Sequence, residues 1–137
     1  MKIYFSSGQD PMLLDSLKGM NAIHERLHAF LSSPSTSLYL EASQSGGAEP
    51  YDELLGGLEI RKGDGPITLS LTSDRRLRLI GSPANLSLYF SFFQFKEDEQ
   101  DTHHHPEHVR TANYISKGTM SLIIETDSDY DEREGKN

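Results

Sequence analysis

The sequence predicts an α+β domain, a mostly antiparallel sheet with two helices packed on one face. Two stretches carry apolar residues at three- and four-residue spacing, the runs between them alternate like strands, and the order of elements recurs in the second half. At 137 residues the chain is long enough for one such domain with a real core.

Residues 2–6, KIYFS, alternate as a strand, and Gly8, Asp10 and Pro11 supply a turn or a helix start. A helical stretch then runs to Leu31, with Leu13, Leu17, Met20, Ile23, Leu27, Phe30 and Leu31 on its stripe and Gly19 as a point of division. Ser32, Ser33 and Pro34 end it. TSLYLEA (36–42) reads as a strand, SQSGGAEPYDE (43–53) as a loop and LLGGLEIRK (54–62) as a strand entered through glycines. EIRK, the turn GDGP (63–66) and ITLSLTS (67–73) read as a hairpin, followed by a turn at Asp74 and the strand RLRLIG (76–81). Ser82 and Pro83 suit the N-cap and first position of a helix over ANLSLYFSFFQF (84–95). HHHPEHV (103–109) is expected to be extended, and TMSLIIE (119–125) to be the last strand.

This order suggests two strand-helix-strand-strand repeats, about 1–65 and 66–126, with ITLSLTS joining them. A slide of 63 places Ile23 on Leu86, Leu27 on Phe90 and Phe30 on Phe93, and a slide of 64 places Leu58 and Ile60 on Leu122 and Ile124. Residues 127–137 read as an acidic, flexible tail.

The formal net charge is -8, so the long-range field opposes nucleic acid and anionic lipid and favours a basic protein partner. KEDEQD (96–101) and ETDSDYDERE (125–134) concentrate that charge. No apolar run is long enough for a membrane span, and MKIYFSSGQDP lacks the apolar segment of a signal peptide. The absence of cysteine excludes disulfides and thiolate metal sites and agrees with a cytoplasmic location.

One motif points to catalysis. HERLH places His24 and His28 one turn apart with Glu25 between them, the spacing of a zinc peptidase helix in which the glutamate deprotonates the metal-bound water. Against it, the apolar stripe centres near Leu27 and Met20, and both histidines lie roughly 60 to 100° away on its margin. Arg26 is unusual for such a helix, and HERLHAFLSSP lacks the glycine and third histidine of the longer zinc signature. In the proposed second repeat the histidines fall on Ser87 and Ser91. A small zinc hydrolase therefore remains the alternative reading, and no cofactor is expected under the leading one.

The other four histidines lie in DTHHHPEHV, where His103 and His105 would share one strand face, with Glu107 and His108 beyond Pro106. No G-x-S-x-G elbow, P-loop or dinucleotide fingerprint is present. Arg75, Arg76 and Arg78 form one small cluster at a turn, read as a solubilising strand end.

Gly81, Ser82 and Pro83 at a strand end, the helix after them, His103, His105 and Glu107, then Tyr114, and finally Leu122, Ile124 and Glu125 resemble a family of small immunity proteins from bacterial polymorphic toxin systems, the one numbered thirty-two. The likeness spans about residues 55–125, and His108 stands where the family pattern has an aromatic. The resemblance implies a non-enzymatic protein that binds and neutralises a cognate toxin. An acidic surface suits a basic toxin such as a nuclease, with carboxylates standing in for phosphate. The expected partner surface is Glu97, Asp98, Glu99 and Asp101 with His103, His105 and Glu107, and secondly Glu49, Tyr51, Asp52 and Glu53, Tyr51 serving as an aromatic anchor. An open sheet edge could also pair with a second copy.

Overall fold

The structure, a computed structural model, describes residues 1–106 and 114–130. Its elements are β1 (Lys2–Phe5), β2 (Met12–Asp15), α1 (Leu17–Ser32), β3 (Ser37–Glu41), β4 (Glu53–Leu54), β5 (Gly57–Lys62), β6 (Thr68–Leu71), β7 (Leu77–Gly81), α2 (Pro83–Phe90), β8 (His103–His104) and β9 (Ile123–Thr126). Single 3-10 turns follow α2 at Ser91–Phe93 and Glu97–Glu99. The fold is α+β with mostly antiparallel strands, as the sequence predicts. The strands divide between two sheets, here called sheet A (β4-β1-β2-β9-β8) and sheet B (β3-β5-β7-β6).

The helix over residues 12–31 proves shorter at its start. Met12–Asp15 is a strand paired with β1, and Leu13 belongs to the sheet core, not to the helix stripe. The reason is the cap: the Ser16 hydroxyl accepts the Gly19 N–H at 3.0 Å, so α1 begins after Ser16 and the preceding residues are free to extend. Gly19 does not divide the helix. It sits in the first turn, where the Asp15 carboxylate occupies the space a Cβ would need. α1 then buries Met20, Ile23, Leu27 and Phe30, each burial stabilising by about 1.5–3 kcal/mol.

The expected hairpin through GDGP is also absent. β5 and β6 do not pair; β7 lies between them, parallel to β5 and antiparallel to β6. The GDGP segment instead wraps the end of β7, with Gly63 N–H donating to the Gly81 carbonyl at 2.9 Å and Ser82 N–H to the Gly65 carbonyl at 3.1 Å. Gly65 has a φ of 76°, which the turn requires. LLGGLEIRK likewise breaks at its glycines, giving β4 to sheet A and β5 to sheet B. The last strand starts late because Thr119 caps the β6 edge, its hydroxyl accepting the Leu69 N–H at 2.6 Å. Of the expected tail, Tyr130 is buried and the Asp127 N–H donates to the Asp15 carbonyl at 3.1 Å; residues 131–137 lie outside the described residues.

The two halves share part of an element order: a hairpin (β1–β2, then β6–β7), a helix, and a second antiparallel pair (β3–β5, then β8–β9). β1 and β6 begin at 2 and 68, β3 and β8 at 37 and 103, and β5 and β9 at 57 and 123, a constant separation of 66 residues. The capping serines, 16 and 82, keep the same separation. The starts of these elements are thus offset by 66 residues, not by the 63 or 64 that the sequence suggests, and β4 has no counterpart among the described residues of the second half. The halves interlock. β2 of the first pairs parallel with β9 of the second in sheet A, and β5 of the first pairs parallel with β7 of the second in sheet B. One core includes Ile3, Leu13, Leu58, Leu77 and Ile124 together with both helices. Among the described residues no helix is long and apolar enough to cross a membrane.

If the interlock carries the fold, Leu13→Ala and Ile124→Ala, which sit opposite each other across β2 and β9, will each cost about 2–5 kcal/mol. Urea unfolding followed by circular dichroism is expected to show one cooperative transition shifted in both variants. Loss of one half's signal ahead of the other's would contradict it.

Candidate functional site

The face of sheet A turned away from the core presents Tyr4, Met12, Leu14, Ile123, Glu125 and His103. Strand register places Tyr4 opposite Met12, Met12 beside Ile123, Leu14 beside Glu125, and Glu125 beside His103. Leu14 and Leu54 are buried yet stand outside the central core, because the loop before β4 folds over this outer face. That loop is pinned by Gln44 Nε2 donating to the Leu54 carbonyl at 3.1 Å and by the Asp52 N–H donating to Ser6 Oγ at 3.0 Å. Tyr51 is its anchor: its ring lies 5.3 Å from that of Tyr4, and its hydroxyl donates to the Met12 sulfur at 3.9 Å.

Between loop and sheet is a concavity of about 170 Å³ lined by Tyr4, Met12, Leu14, Pro50 and Tyr51, with the acidic residues Glu49, Glu125 and Asp127 on its wall. An apolar, aromatic floor beneath carboxylates is the chemistry that receives a cationic side chain, through cation–π attraction and charge-assisted hydrogen bonds. Glu125 links this concavity to the histidine strand, with His103 Nδ1 at 4.0 Å from its carboxylate and the His105 ring 4.9 Å from that of His103.

The expected acidic loop divides in two. Glu97 and Asp98 are exposed. Glu99 is engaged within the chain: it accepts the Lys96 N–H at 2.9 Å and lies 3.0 Å from His104 Nε2. The Lys96 amide and then the His104 ring hold its carboxyl below the usual glutamate value. His104 stacks on Phe95 at 3.9 Å, and its Nδ1 faces the Phe92 carbonyl at 2.8 Å. Asp101, at a φ of 61°, accepts the Ser128 N–H at 2.9 Å and its hydroxyl at 3.0 Å, clasping the segment after β9.

In the second expected patch Glu53 forms a bidentate pair with Arg75, which lowers its carboxyl and raises the guanidinium. Asp52 is exposed beside it. The fold thus brings Glu49 and Tyr51 to Glu125 and, through it, to His103 and His105, while Glu53, Glu99 and Asp101 serve internal contacts. Glu107 and His108 lie outside the described residues. Sequence reasoning placed Met12 and Leu14 on a helix and left Glu125 and Asp127 out of the site; the strand-like MLLD before a capping serine was the signal that could have found the floor.

On α1, His24 is half-buried and His28 and Glu25 are exposed, with the two rings 6.4 Å apart and nearly parallel. Burial lowers the His24 pKa, the His28 charge adds to this, and Glu25 opposes it. Among the described residues no three His, Cys, Asp or Glu side chains are grouped to hold a metal ion. At the 66-residue correspondence His24 and His28 match Phe90 and Gln94, in place of Ser87 and Ser91.

Comparison with known proteins finds no matching family model, no matching curated protein and no matching solved structure.

The lowered Glu99 pKa fixes the sign of a pH effect. Its stabilisation is fully present above the ordinary carboxylate value and is lost as pH falls through the lowered one. Urea midpoints measured from about pH 6 down to about pH 3 are expected to fall, and to fall less steeply in Glu99→Gln. Parallel curves for the two proteins would remove the clamp assigned to Glu99.

Proposed function

We propose that this chain is an immunity protein that captures a cognate bacterial toxin and neutralises it without catalysis, through the acidic outer face of sheet A. The observation that carries this reading is the concavity in which Glu49, Glu125 and Asp127 surround the Tyr4, Met12 and Tyr51 floor. Its chemistry suits an arginine or lysine from a basic partner, the guanidinium lying on an aromatic ring and its fork meeting a carboxylate. The resemblance of residues 81–83, 103–107 and 122–125 to a toxin-immunity family supports the same reading.

Charge supports it at longer range. A net charge of -8 accelerates encounter with a cationic surface, above all the phosphate-binding cleft of a nuclease. Glu97 and Asp98, both exposed, act on that encounter, whereas Glu49 and Glu125 act on the docked state. Neutralisation of this kind takes place in the cytoplasm of the toxin-producing cell and uses no cofactor.

The test is binding to the product of the adjacent gene, supplied as a catalytically dead toxin. Glu49→Lys with Glu125→Lys is expected to raise the dissociation constant by roughly two orders of magnitude and to abolish rescue of cells making the active toxin. Glu97→Gln with Asp98→Asn is expected to slow association several-fold while leaving dissociation nearly unchanged. Full rescue and unchanged affinity in the Glu49/Glu125 variant would overturn the assignment.

A further inference from the structure

Sheet edges present unpaired backbone amides and carbonyls, and folded proteins keep them short or covered. In sheet A the edge strands β4 and β8 have two residues each. In sheet B, β6 is covered by the segment 114–120: Ile67 N–H donates to the Tyr114 carbonyl at 2.7 Å, Ser116 N–H to the Ile67 carbonyl at 2.9 Å and Met120 N–H to the Leu69 carbonyl at 3.3 Å. β3 is different. It is five residues long, its sequence SLYLE holds neither lysine nor proline, and no described residue pairs with its outer side.

The direction of its free groups follows from the ladder. Lys62 N–H donates to the Thr36 carbonyl at 2.8 Å and Ala42 N–H to the Gly56 carbonyl at 3.0 Å, so even-numbered residues of this stretch turn their amides toward β5. Ser37, Tyr39 and Glu41 therefore turn theirs outward. All three are exposed, and Tyr39 is the one exposed large hydrophobic side chain among the described residues.

We infer that β3 is a homodimerisation edge, at which two copies of the chain pair antiparallel about Tyr39 to join two copies of sheet B into one eight-stranded sheet. The register is self-complementary. With Tyr39 on the two-fold axis, Glu41 of each copy stands opposite Ser37 of the other, and Ser37 is already paired across the strand with Arg61. Adjacent strands lie about 4.8 Å apart, so the carboxylate and the guanidinium meet over the small serine. The Arg61 side chain is 50% exposed, bonds Glu59 through Nε, and keeps its terminal nitrogens for a second acceptor. Symmetry makes this pair twice, alongside about six backbone hydrogen bonds. On the opposite face, half-buried Leu38 gains Leu40 of the second copy as its cross-strand neighbour. The 280 Å³ groove running from Leu38 to Ala29 and Phe30 of α1 is then covered. The outer face of sheet A is untouched, so the dimer leaves both acidic concavities open.

Sedimentation equilibrium of the full chain tests this. The wild type is expected to show a monomer–dimer equilibrium. Glu41→Arg and Arg61→Glu are each expected to weaken it about tenfold or more, because each sets like charges together twice. An equimolar mixture of the two variants is expected to recover the dimer, since every pair in the heterodimer is then of opposite charge. Ser37→Pro, which removes an outward donor and no bond to β5, is expected to abolish it. Circular dichroism checks that each variant folds; should Ser37→Pro fail to, the charge pair decides. A wild type that stays monomeric, a dimer indifferent to both reversals, or a mixture that recovers nothing would overturn the proposal.

Discussion

Two parallel strand pairs hold the molecule together, β2 with β9 and β5 with β7. Every other ladder joins strands of the same half. Without the parallel pairs the first half is the three-stranded β4-β1-β2, the pair β3-β5 and α1, and the second half is two separate two-stranded units and α2, so neither sheet is complete in either half. With them, Leu13 meets Ile124, Leu58 meets Leu77, and the stripes of α1 and α2 close over one core. These contacts lie far apart in sequence, so chain closure must be paid for before they form, which marks a slow-folding topology.

The same constraint makes the candidate site. The floor of the concavity comes from β1, β2 and the loop carrying Tyr51, all in the first half, whereas Glu125 and Asp127 come from β9 and the residue after it. Neither half contains the site. The remaining charges sort by what they hold: Glu53 is engaged by Arg75, Glu59 by Arg61 and Arg78, and Glu99 by Lys96 and His104. Burial pushes Glu59 up, but its two arginines outweigh this and hold it below the ordinary value. Glu49, Glu125 and Asp127 give the outer face of sheet A its sign, Asp127 also accepting the Asp129 N–H at 2.8 Å. The outer face of sheet B instead sets Arg61, Arg76 and Arg78 against Glu59 and Asp74 in ion pairs, with Arg76 lying 4.6 Å over the Tyr39 ring.

Local physics was legible in the sequence, and long-range pairing was not. The α1 stripe of Met20, Ile23, Leu27 and Phe30 and the Ser82–Pro83 helix start were read correctly, because periodicity and capping are short-range signals. β2 was hidden because Leu13 fits a helical stripe as well as a strand face. The offset between the halves is obscured for a related reason. A helical stripe slid by three residues looks nearly the same, so a slide of 63 resembles one of 66, and the capping serines, Ser16 and Ser82, distinguish them. Nothing local distinguishes a β5–β6 hairpin from a crossover around β7, and this, with the break of LLGGLEIRK into β4 and β5, hid the division into two sheets. Glu49 and Tyr51 are candidates on sequence alone, but their meeting with Glu125 depends on the β2–β9 pairing.

Hydrogen exchange of the chain with and without the dead toxin tests the central claim most directly. Binding through the outer face of sheet A predicts slowed exchange at residues 47–52 and 123–128, with no change along α1 near His24 and His28. Protection confined to α1 or to the outer face of sheet B, with 47–52 and 123–128 exchanging as in the free protein, would contradict it.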